Sequence, residues 1–203
     1  MSLRRVLSPA LKLHIPGHSH VQDVSGNGNN GTWDTSAAYV DGPFGRMCVD
    51  VTSDGLSAAV TGTYTAISIA AWVQPQSVTG NAAPLETGAY NSAGTAIWRI
   101  GSTGWNAYIN NASPIITTTG GVTALGWSHL ALTAEGTTAV LYENGKQIGT
   151  GTLSGSLVVT PYKIPEATVL GGTDFYVADA RLYSCALQGD EVASLYRYSK
   201  LVA

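Results

Sequence analysis

The run W-S-H-L-A-L-T-A-E-G-T-T-A-V-L-Y-E-N-G, residues 127–145, decides the fold. From Trp127 to Thr133 apolar and polar side chains alternate, the period of a strand with one face turned inward. Glu135-Gly136 turns the chain, and residues 137–143 form the next strand. Asn144-Gly145 is the strongest short hairpin signal, because a type I′ turn needs positive φ at both central residues. Residues 146–150 return beside it.

The same period recurs on both sides of this meander. L-K-L-H-I at 11–15 alternates until Pro16-Gly17 stops it, and a short strand is expected at 46–51. A-I-S-I-A-A-W-V-Q-P at 66–75 places Ile67, Ile69, Ala71 and Val73 on one face and Trp72 on the other. Both faces are therefore covered, as in the middle of a sandwich. Further β segments include 96–100, 105–109, 167–172 and 176–184. One helix is expected at the C-terminal end. Asp190 and Glu191 suit the dipole of its first turn, and Val192, Leu195 and Tyr196 share an apolar face. About a dozen short strands punctuated by turn residues predict an all-β, two-sheet antiparallel sandwich with a short C-terminal helix.

The chain has 203 residues, 44% of them apolar and only 11% charged, with 24 glycines. One β domain over residues 11–203 accounts for that length, preceded by an arm at 1–10 that ends at Ser8-Pro9 and carries Arg4, Arg5, Val6 and Leu7. The net charge of -3 and the lack of a basic stripe exclude phosphate-driven nucleic-acid binding. No apolar run reaches membrane-spanning length. No apolar core of seven or more residues precedes Pro9, so a secretory signal is not expected. Cys48 and Cys185 are too few for a disulfide framework; Cys48 reads as a core residue, with a bridge to Cys185 as the alternative.

D-V-S-G-N-G-N-N-G-T at 23–32 is a tight polar loop, in which Gly supplies positive φ and Asn and Asp close turns with their side chains. This loop, F-G-R-M-C-V-D-V at 44–51, the strand at 66–75, the hairpin at 127–149 and A-D-A-R-L-Y-S-C-A-L-Q-G-D-E-V-A-S-L-Y at 178–196 occur in an order that resembles the laminin-G-like, concanavalin A-like jelly roll. The resemblance covers roughly residues 11–197. It implies two antiparallel sheets, Trp72 and Trp127 in the core, non-catalytic binding of glycans or proteins, and in many members a calcium ion where the first loop meets the last strand. The closing strand of the family usually carries two adjacent acids before its basic residue; here those positions are Ala178 and Asp179.

Calcium takes six to eight oxygen ligands. Asp23, Asn27 and Asn29 are the candidates from the loop and Asp179 from the last strand. The alternative is a network of Asx turns, with Asp179 paired to Arg181 or to backbone. His14, His18 and His20 are close enough in sequence for adventitious zinc or nickel, against a solvated loop, and His129 is expected to be a hydrogen-bonded structural residue. Glucan-cleaving relatives carry Glu-x-Asp-x-Glu on one strand, which sets the acids on one face. The 13 acidic residues contain no such triplet, so no catalytic residue is assigned. Trp33, Tyr90, Trp98, Trp105 and Tyr108 are the candidate contacts for a glycan or a protein partner, with core packing as the alternative for each.

These residues point to a non-catalytic structural or binding module. The expected setting is a virion surface, as a phage head decoration or tail-associated protein. Its arm would dock on a larger assembly, as a homo-oligomer (a trimer), with host glycans as further partners. The alternative is a lectin module of a bacterial surface or secreted protein.

Overall fold

The computed structural model describes residues 10–16, 22–33, 38–42, 47–51, 56–77, 81–88, 95–100, 104–110, 113–120, 122, 125–159, 162–164 and 175–201. Along them run β1 (Leu11–Ile15), β2 (Gly31–Trp33), β3 (Ala38–Asp41), β4 (Met47–Val51), β5 (Leu56–Ala58), β6 (Gly62–Tyr64) and β7 (Ala66–Pro75). The chain continues through β8 (Asn81–Glu86), β9 (Thr95–Ile100), β10 (Trp105–Ile109), β11 (Ile116–Thr117), β12 (Ser128–Glu135), β13 (Thr138–Glu143) and β14 (Lys146–Thr152). It closes with β15 (Leu157–Val159), β16 (Tyr162–Ile164), β17 (Phe175–Tyr183) and α1 (Gly189–Leu201). Of the expected arm at 1–10 only Ala10 is described, and the expected strand at 167–172 lies outside the described residues.

The strands form two antiparallel sheets packed face to face, the sandwich that the sequence predicts. The larger sheet, of eight strands, runs β14-β13-β12-β7-β17-β4-β3, with β1 also on β17; the other, of seven, runs β11-β10-β9-β8-β16-β5-β2. β6 and β15 add a small ribbon. β7 is the expected strand to the residue. Ile67, Ile69, Ala71 and Val73 face the space between the sheets, among Leu13, Ile15, Leu85, Trp105, Leu130, Leu132 and Phe175. Trp72 faces the opposite way, beside Ala178, Tyr196 and Trp127. In the deciding meander the first turn sits one residue later than expected: Glu135 still pairs with Thr138, leaving Gly136 (φ 59°) and Thr137 as the turn. The second turn is as expected, with Asn144 and Gly145 at φ 51° and 76°.

α1 covers the outer face of the larger sheet. Val192 and Leu195 are fully buried against Ala70, Ala131, Tyr142, Tyr183 and Leu187. The chain is led into the helix by the buried Ser68, whose hydroxyl donates to the Cys185 carbonyl and accepts the Leu187 N–H. The Glu191 carboxylate accepts the Gln188 N–H, relieving one of the unpaired donors at the helix start. Among the described residues Cys185 forms no disulfide, and the Cys48 side chain lies outside the description. Among the described residues no helix is long and apolar enough to cross a membrane.

β17 changes neighbours along its length. Residues 175–177 pair with β4, and the segment from Ala180 onward pairs with β1. The ladder to β7 slips between Ala178 and Arg181, and Asp179 sits at that irregularity with φ 55°. A left-handed conformation at a non-glycine residue persists only where its surroundings over-determine it; Asp179 is held on all sides, as described next.

Candidate functional site

The four candidate calcium ligands divide between two networks. Asp23 stays in the loop. Its Oδ1 accepts the backbone N–H groups of His14 (3.0 Å) and Ser25 (2.9 Å), and its Oδ2 accepts the Ser25 hydroxyl (2.8 Å) and the Asn29 N–H (2.9 Å). A carboxylate offers about four lone-pair sites, and all are taken. Burial pushes the Asp23 pKa up, but these donors outweigh it and hold the carboxyl below its ordinary value. Asn27 and Asn29 turn their amide N–H groups onto β1, donating to the carbonyls of Leu11 (2.7 Å) and Lys12 (2.8 Å).

Asp179 is saturated in its own network. Arg181 grips both of its oxygens, at 2.8 and 3.0 Å from Nη2, with Nε at 3.0 Å from Oδ1. His14 Nε2 lies 2.6 Å from Oδ1, and the Ser199 hydroxyl of α1 donates to Oδ2 at 2.7 Å. Burial alone would raise its pKa; Arg181, His14 and Ser199 reverse that and hold it well below the usual carboxylate range. With the lone pairs of both carboxylates engaged, these residues do not fit a calcium ion, and the loop is the Asx-turn network. His14 serves Asp179, while His18 and His20 lie outside the described residues. Among those described, no three His, Cys, Asp or Glu side chains converge for a metal.

His129 differs in part from expectation. Its backbone exchanges hydrogen bonds with Asn144, but its Nδ1 is buried without a hydrogen-bond partner among the described residues. The ring packs edge-on against Trp72 at 5.4 Å and lies 6.0 Å from Tyr196. Burial lowers its pKa to about 4, with Asp179 opposing and Arg181 assisting.

The aromatic candidates also divide. Trp105 and Tyr108 are core residues, 1% and 6% exposed, because β10 is buried on both faces. Trp33 and Trp98 stand on β2 and β9, with side chains outside the description, and Tyr90 lies outside the described residues.

Trp105 nevertheless leads to a site. Its indole N–H donates to Glu143 Oε1 at 3.1 Å, and the Ser128 hydroxyl donates to the same oxygen at 2.8 Å. Glu143 is half-buried at the end of β13, on the wall of a groove of about 380 Å³ lined by Thr117, Thr118, Thr119, Gly120, Glu143 and Ile148. That volume is within the ~300–1,000 Å³ of ligand pockets.

Local sequence builds the groove. Gly149 and Gly151 are alternate residues of β14, so one face of that strand is bare. A Cβ at Gly149 would overlap the Ile116 side chain, and one at Gly151 the Ile115 carbonyl. The bare face lets residues 115–118 close onto the edge of the larger sheet. Thr118 is then clamped to Trp105: its hydroxyl accepts the Trp105 N–H and donates to the Trp105 carbonyl, both at 2.9 Å, and its own N–H donates there at 3.0 Å. Opposite, the β13–β14 ladder passes from Leu141↔Gly149 to Tyr142↔Gln147, so Ile148 is the extra residue of a bulge. Bulges re-aim side chains, and Ile148 joins the groove lining. Sequence reasoning named none of the lining residues; the alternate glycines at 149 and 151 were the available signal.

A family model described as the concanavalin A-like lectin/glucanases superfamily matches residues 49–193. No curated protein matches the sequence. Among solved structures, the binding domain of Paraclostridial mosquitocidal protein 1 superposes with a TM-score of 0.80 at 17% identity, over 95% of this chain and 53% of that one. The binding domain of botulinum neurotoxin DC, in complex with SialylT, gives 0.75 at 13% identity, over 95% and 52%. Domain 4 of an extracellular arabinanase from Geobacillus stearothermophilus, in complex with arabinotriose, gives 0.69 at 17%, over 92% and 98%. The chain thus spans about half the length of the toxin binding domains and nearly all of the arabinanase domain.

Proposed function

The chain belongs to the concanavalin A-like lectin/glucanases superfamily, and from that premise we propose that it is a non-catalytic module that binds a carbohydrate or a cell-surface receptor. The observation that carries the reading is the groove with one fixed carboxylate. Glycoside hydrolysis takes two carboxyl groups flanking the scissile bond, whereas Glu143 is the one acid among the described residues of the lining. Its two donors hold it as a hydrogen-bond acceptor, as recognition requires. The complexes of the similar toxin and arabinanase domains with SialylT and arabinotriose support the ligand class.

The finer setting in this reading is a virion surface, where the arm with Arg4, Arg5, Val6 and Leu7 docks the module on a larger homo-oligomeric assembly. A bacterial surface or secreted protein is the alternative setting. The low charge of the chain and the basic-apolar arm support docking. A glycan array, run beside a reducing-sugar release assay on the same oligosaccharides, tests the function. Retention of a glycan without release of sugar is expected, and turnover of any oligosaccharide would overturn the non-catalytic reading.

A further inference from the structure

We infer that the groove beside Glu143 is the ligand site and that it takes neutral oligosaccharides with adjacent free hydroxyls rather than acidic ones. The inference rests on the binding role proposed above and narrows it to a place and a ligand class.

The chemistry of the wall selects the ligand. Oε1 of Glu143 already accepts the Trp105 N–H and the Ser128 hydroxyl, which fixes the carboxylate and leaves Oε2 as the acceptor for a guest. An ionised carboxylate only accepts hydrogen bonds, so its complement is a donor such as a sugar hydroxyl. Thr117 and Thr119 are exposed, with hydroxyls that both donate and accept, as the alternating hydroxyls of a sugar do. Ile148 offers an apolar patch for the C–H face of a ring. The rim is preorganised, because Thr118 is bonded through both backbone and side chain to Trp105, itself fully buried. A rigid rim lowers the ordering cost of binding.

Charge disfavours the acidic class. Glu143 is the one charged residue among the described residues of the lining. A carboxylate brought against it would set two like charges together with no cation between them among the described lining residues, which disfavours binding. Lys146, its register partner across the turn, is exposed and is not part of the lining.

The test uses the full chain on an array of neutral oligosaccharides and their sialylated counterparts, with calorimetry on the strongest neutral ligand. Glu143→Gln keeps an oxygen for Trp105 and Ser128 and replaces Oε2 with an N–H donor; affinity is expected to fall about tenfold or more at unchanged melting temperature. Thr119→Arg fills the groove from an exposed position outside the core and is expected to do the same. Neutral binding by the native chain that survives both substitutions would overturn the site while leaving the binding function standing. Tighter binding of the sialylated members would overturn the ligand class. Retention of no glycan by the native chain would overturn both this inference and the carbohydrate reading beneath it.

Discussion

A buried imidazole between two aromatic rings makes the molecule sensitive to acid in a defined window. His129 is 1% exposed, and its pKa lies near 4 rather than at its ordinary 6.5. As pH falls below 6.5 the unfolded chain takes up a proton that the native state refuses, so stability is full above 6.5 and declines down to 4. The loss over that window is on the order of 3 kcal/mol. Asp179, with its pKa depressed by Arg181, His14 and Ser199, adds a second loss only below the ordinary aspartate range. Urea denaturation at a series of pH values is expected to show the first decline, and His129→Leu to flatten it; an unchanged slope in the variant would remove His129 as its source. Legibility at this scale follows sequence distance. The partners of Asp23 include Ser25 and Asn29, so the Asx network could be read from ten residues. Asp179 depends on His14, 165 positions away, and no local pattern announces that meeting.

The elements were more legible than the site they build. β7 and β10 fall at their expected bounds, and the Asn144-Gly145 turn follows from backbone sterics alone. The aromatic pair on β10 misled because both faces of that strand are covered, so neither Trp105 nor Tyr108 has an outside to point to. The groove escaped because it needs three separate segments: the bare face of β14, the closing segment 115–118 and the end of β13. The bare face is the component most open to attack. Gly151→Val would drive a side chain into the Ile115 carbonyl, and overpacking of this kind costs about 1–3 kcal/mol. A lowered melting temperature with lost ligand binding is expected; a variant that melts and binds as the native chain does would mean that the close approach of 115–118 to β14 does not shape the groove.

For the whole molecule, the arm and the body make separable demands. The Ala10 carbonyl receives the Ser184 N–H, so a truncation meant to test docking stops at residue 9 and keeps that bond. Size-exclusion chromatography with light scattering is expected to show an oligomer that dissociates when residues 1–9 are removed. A monomer in both forms would rule out the docking arm and leave the binding module to act alone. The pairing of the first described strand with the last one reaches beyond the folded state. β1 rests on β17, and His14 is locked to Asp179. A ribosome adding ~5–20 residues per second delivers β17 roughly ten to thirty seconds after β1. Throughout that interval Leu11, Leu13 and Ile15 wait without the partner that buries them. The nascent chain therefore carries an adhesive stripe until β17 has emerged, and its yield in the cell depends on what shields that stripe in the meantime.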